Sequence, residues 1–66
     1  MTFIRATRTN GAQVLINLNH VAAMEHQEAE TLNYTAIILD SGREIDVTES
    51  LQELMQQADI PFEPSS

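Results

Sequence analysis

The sequence predicts a small α+β domain, an antiparallel β-meander of 4–5 strands with one short C-terminal helix packed on one face. Three observations carry this. Two hairpin turn signals, Asn10-Gly11 and Ser41-Gly42, each stand between segments of alternating apolar residues. Leu51, Leu54, Met55 and Ala58 then recur at helical spacing. Sixty-six residues leave room for one domain only.

The first strand spans Thr2 to Thr9, with Phe3, Arg5 and Thr7 on one face and Ile4, Ala6 and Arg8 on the other. Asn10-Gly11 reads as a type I′ turn, which needs positive φ at both central residues. The second strand, Gln13 to Leu18, puts Val14, Ile16 and Leu18 together and Leu15 opposite them. Asn19-His20 marks a bend. Val21 to His26 is a weaker strand, because its two alanines are poor β-formers. The acidic stretch that follows reads as an exposed loop over residues 27–33, or as a short helical turn.

Asn33 to Asp40 is the clearest strand, with Tyr34, Ala36 and Ile38 alternating with Thr35, Ile37 and Leu39. After Ser41-Gly42 the chain returns through Arg43 to Val47, with Ile45 and Val47 on one face and Glu44 and Asp46 on the other. Thr48 is one N-cap for the helix, and Ser50-x-x-Glu53 is an alternative capping box. Glu49 falls where the helix dipole favours negative charge. Ile60-Pro61 ends the helix, since a residue before proline avoids the α region. Residues 1–60 thus form the domain and 61–66 a tail, whose Phe62 can pack back on it.

Composition limits function. A chain this short hides only about 60% of the surface its unfolded form exposes. No cysteine is present, so neither disulfides nor a thiolate zinc site can help. Association with a copy is the common alternative. Three arginines, Arg5, Arg8 and Arg43, stand against ten acids, for a net charge of −7. Phosphate binding runs on cationic groups, so nucleic acid is a poor fit and an anionic membrane no better. The N-terminus lacks a basic segment followed by an apolar run, and no apolar stretch approaches the ~20 residues that cross a bilayer. The expected location is cytoplasmic, without membrane insertion.

The search for chemistry finds little. His20 and His26, with Glu25, Glu28 and Glu30 near them, match no ligand spacing. Ser41, Ser50, Ser65 and Ser66 read as turn, cap and tail residues. Gly11 and Gly42 are isolated turn glycines. Arg5, Arg8 and Arg43 make an anion site only if the first and last strands bring them together; otherwise they relieve an acidic surface. No catalytic, cofactor or metal residue is assigned. The strands instead carry apolar residues on both faces. If Val14, Ile16, Ile45 and Val47 meet the helix, then Leu15, Ile37 and Leu39 form a second apolar face, the expected interface with a copy or another protein. A register slip of one residue would exchange the faces.

Some segments suggest a family. Thr7-Arg8-Thr9-Asn10-Gly11, Val14-Leu15-Ile16-Asn17, Val21 and Met24-Glu25, then Thr35 to Leu39, Ser41-Gly42, and Val47-Thr48-Glu49-Ser50 with Glu53 together resemble the small FlbD/SwrD flagellar proteins over most of residues 5–56. The resemblance implies a non-enzymatic cytosolic accessory of the flagellar motor, without ligand or catalytic residues. The strand–turn–strand pattern and the Thr48-Glu49-Ser50-Leu51-x-x-Leu54 segment are also similar to part of the LytTR DNA-binding domain. That similarity implies, as the alternative, a reduced nucleic-acid-binding or regulatory domain. No DNA contacts are carried over from that longer, more basic domain.

Overall fold

The structure is a computed structural model that describes residues 2–59. Five antiparallel strands and one short helix make an α+β fold: β1 (Phe3–Thr7), β2 (Gln13–Asn17), β3 (Val21–Glu28), β4 (Asn33–Leu39), β5 (Glu44–Val47) and α1 (Leu51–Gln57). The expected helix end at Ile60-Pro61 and the tail at 61–66 lie outside the described residues.

The strands do not form the single meander that the sequence suggests. They make two sheets, β1-β2 and β3-β4-β5. The break falls at Leu18–His20, one turn of 3-10 helix, where Asn17 Oδ1 accepts the Asn19 N–H. This turn makes a corner rather than a hairpin, so β3 leaves β2 and pairs with β4. The far end of β1 then meets β5. Arg8 bridges Val47, Thr9 N–H bonds to the Asp46 carbonyl, and Thr48 N–H bonds to the Thr7 carbonyl.

The Asn10-Gly11 turn departs from the type I′ expectation, and the Ser41-Gly42 turn is built in the same way. Gly11 N–H bonds to the Arg8 carbonyl and Arg8 N–H to the Ala12 carbonyl; Gly42 and Leu39 repeat the pattern with Arg43. Each is a three-residue connection in which only the glycine takes positive φ, at 93° and 92°. Asn10 Oδ1 instead accepts the Ala12 N–H.

β3 is longer than its composition suggests and runs through to Glu28, where a loop was expected from residue 27. Cross-strand pairing with β4 overrides the weak propensity of its alanines, at the cost of a bulge between Val21 and Ala23. The helix begins at the second candidate cap: Ser50 Oγ accepts the Glu53 N–H.

The core lies between the sheets and the helix. It gathers Ile4, Ala6, Ile16, Ile37, Ile45, Val47, Leu54 and Ala58. Its one buried polar side chain among the described residues, Thr35, donates to the Glu49 carbonyl at 2.7 Å. Ile37 belongs to this core, with 0% exposure, and so not to a second apolar face. It pairs directly with Ile45, and a direct cross-strand pair must share a face. Ala36 on the other face is buried as well. A central strand that is apolar on both sides gives no signal of which side is inward.

Candidate functional site

Of the three residues expected at an interface, Leu15 alone is fully outside, at 65% exposure. Leu39 is half-buried and packs against the core, and Ile37 lies inside it. Leu15 and Leu39 do line one groove of about 340 Å³, between β2 and the β4–β5 turn. Its wall is apolar, from Val14, Ile16 and Ile45, and Asn17, His20, Asp40 and Arg43 stand around it.

Leu15 also belongs to a patch that the sequence reading missed. In the β1-β2 register Phe3 pairs with Asn17, Arg5 with Leu15 and Thr7 with Gln13. These residues make the outer face of the hairpin. Phe3 there is 45% exposed, and a shallow depression joins Phe3, Arg5, Leu15 and Gln57. Two large apolar side chains therefore face solvent beside one arginine.

The charge distribution sets this face apart. Residues 1–24 contain Arg5 and Arg8 and no carboxylate; residues 25–66 hold all ten acids and one arginine, Arg43. The arginines are thus not scattered over an acidic chain, as counting alone implied. The signal was present in the order of the charges.

The opposite surface is acidic. On the outer face of β3-β4-β5, Glu25 and Asp46 flank Ala36, and Glu44 pairs with the neighbouring Ile38. The adjacent Asp46 carboxylate first, and the charge of Glu25 after it, raise the Glu44 pKa above its usual value. The described residues contain no group of three His, Asp or Glu suited to a metal ion. His20 Nδ1 lies 3.2 Å from Asp40 Oδ2 and His26 Nε2 lies 3.6 Å from Glu28 Oε1, both pairs well exposed.

The backbone edges complete the picture. Leu18 N–H bonds to the Thr2 carbonyl and Arg8 N–H to the Ala12 carbonyl, at the two ends of the β1-β2 ladder. Alternation then makes Ile4–Ile16 and Ala6–Val14 the hydrogen-bonded pairs. The peptide groups of Phe3, Arg5 and Thr7 point to the far edge of β1, and those of Arg5 and Thr7 are covered. Gln57 accepts from Arg5 N–H at 3.0 Å and donates to its carbonyl at 2.8 Å. Glu49 accepts from Thr7 N–H at 2.7 Å and from its hydroxyl at 2.9 Å. The peptide groups of Gln13, Leu15 and Asn17 point to the other edge, where no strand of the described residues follows.

No helix of the described residues is long and apolar enough to cross a membrane. The chain matches no protein-family model, no curated protein and no solved structure.

Proposed function

We propose that this chain is a non-enzymatic interaction module that self-associates and docks through the outer face of the β1-β2 hairpin. One observation carries the reading: the largest exposed apolar side chains of the two-stranded sheet, Phe3 and Leu15, lie on the part of the chain that has no carboxylate. A two-stranded sheet is marginal by itself, and covering its outer face would add stability that a small core lacks. The resemblance of residues 5–56 to the small flagellar accessory proteins is the support for placing this module in motor assembly.

Light scattering after size exclusion, over a range of concentrations, tests the reading. Wild type should exceed the monomer mass, and Leu15→Glu should return it to monomer with its folded spectrum intact. A Leu15→Glu protein that assembles like wild type overturns it.

A second reading, a reduced nucleic-acid-binding domain, draws support from Arg5 and Arg8 on the acid-free third of the chain. It predicts duplex DNA binding that weakens with salt and with Arg5→Ala. No shift of duplex DNA at low salt removes it.

A further inference from the structure

We infer that the chain self-associates with a second copy edge to edge, through the β2 backbone in antiparallel register about a two-fold axis at Leu15. The inference rests on the self-association proposed above and adds the edge, the register and the symmetry.

The edges differ in how they are guarded. Natural sheets protect exposed edges with charges, bulges or covering groups. The β1 edge is covered at Arg5 and Thr7 by Gln57 and Glu49. The β3 edge carries Glu25 and Glu28 and is bulged near its start. Among the described residues β2 has neither protection: Gln13-Val14-Leu15-Ile16-Asn17 holds no charge and no proline, and its pairing with β1 is unbroken.

The sequence of β2 is symmetric in character about its centre. A carboxamide stands at each end, a β-branched aliphatic next on each side, and Leu15 in the middle. A two-fold interface needs a self-complementary surface. An antiparallel pair centred on Leu15 sets Leu15 against its own copy, Val14 against Ile16, and Gln13 against Asn17. The peptide groups of Gln13, Leu15 and Asn17 then bond across the seam. Val14 and Ile16, which face the core, would run the two apolar interiors together.

Electrostatics permits this approach where it resists others. Two molecules of net charge −7 repel, but no carboxylate lies on either hairpin. The two copies of Arg5 would stand three strand spacings apart, roughly 14 Å. That exceeds the Debye length of about 8 Å at physiological salt. The product is a four-stranded sheet in place of two two-stranded ones.

The chain has no cysteine, so single introduced thiols report the register cleanly. Leu15 and its copy would lie about 5.5 Å apart between Cα atoms, within disulfide reach. Gln13 would lie four residues along the seam from its own copy, roughly 14 Å, and out of reach. In a glutathione redox buffer, Leu15→Cys should trap as a covalent dimer. Gln13→Cys and Asn17→Cys should stay uncrosslinked alone and form the mixed disulfide when combined. The Leu15 amide of wild type should exchange more slowly as concentration rises.

A protein that assembles, yet crosslinks through Gln13→Cys alone as readily as through Leu15→Cys, overturns edge pairing and leaves the apolar-face reading standing. An assembled protein whose Leu15 amide exchanges as it does in dilute solution does the same. A monomer at every concentration overturns both.

Discussion

Glu49 does more at the residue scale than its reading as a helix-start acid suggests. Partial burial alone would push its pKa up. The hydrogen bonds from the Thr7 backbone and hydroxyl outweigh that and hold it below the usual carboxylate range. The folded value is depressed, so its contribution is present above the unfolded pKa and is lost as pH falls through the folded one. Glu49→Gln should therefore cost about 1 kcal/mol at pH 7. In urea titrations the gap from wild type should close in acid. Glu44 has the opposite sign. Its raised pKa favours the folded state below the unfolded value and is a liability as pH rises through the folded one. Glu44→Gln should raise the neutral-pH unfolding midpoint. Ile37 tests the corrected face. With no exposure, Ile37→Ala should cost about 2–5 kcal/mol in denaturant unfolding, a large share of a small domain's stability. Leu15→Ala should leave the unfolding midpoint of the dilute protein nearly unchanged. Sequence alternation separated inside from outside on β1, β2 and β5, where one side is mostly polar despite Phe3 and Leu15. It failed on β4 because Ala36 and Ile37 are both buried, and only the pairing of Ile37 with Ile45 decides.

The elements were legible where local chemistry decides them. Gly11 and Gly42 marked both reversals, although the turns are one residue longer than a two-residue hairpin. Gly42→Ala meets nothing within 4 Å of its added carbon, so its cost is the positive φ alone, about 1–2 kcal/mol by thermal melt. Ser50→Ala should cost about 1 kcal/mol through the lost cap, and Thr48→Ala less than that. The full length of β3 was hidden, because Glu25-His26-Gln27-Glu28 is polar and strand only by virtue of its partner. The corner at Leu18–His20 was hidden for a related reason. Asn19-His20 announces a bend, but whether the next strand rejoins β2 depends on β4, distant in sequence.

The whole molecule is divided by charge along the chain and in space. Its acid-free third forms the β1-β2 sheet and leads into β3, and the acidic remainder carries the three-stranded sheet's outer face and the helix. Composition reported the sum, and only order and topology reveal the division. Association of two equally charged molecules is opposed at long range and permitted at short range. Assembly should therefore strengthen as salt rises, read as a falling dissociation constant in sedimentation velocity. DNA binding would weaken over the same range.

The bond between Gln57 and β1 has a kinetic consequence. The carboxamide of Gln57 presents Arg5 with one donor and one acceptor, as the next peptide of a sheet would. It acts as a stopper in a site that any extended chain could fill. Fraying of the last helical turn would uncork that site while the core stays intact. Gln57→Ala should thus shorten the lag before insoluble fibres form under agitation, even at temperatures well below melting. A lag unchanged from wild type would show that the helix end does not guard this edge.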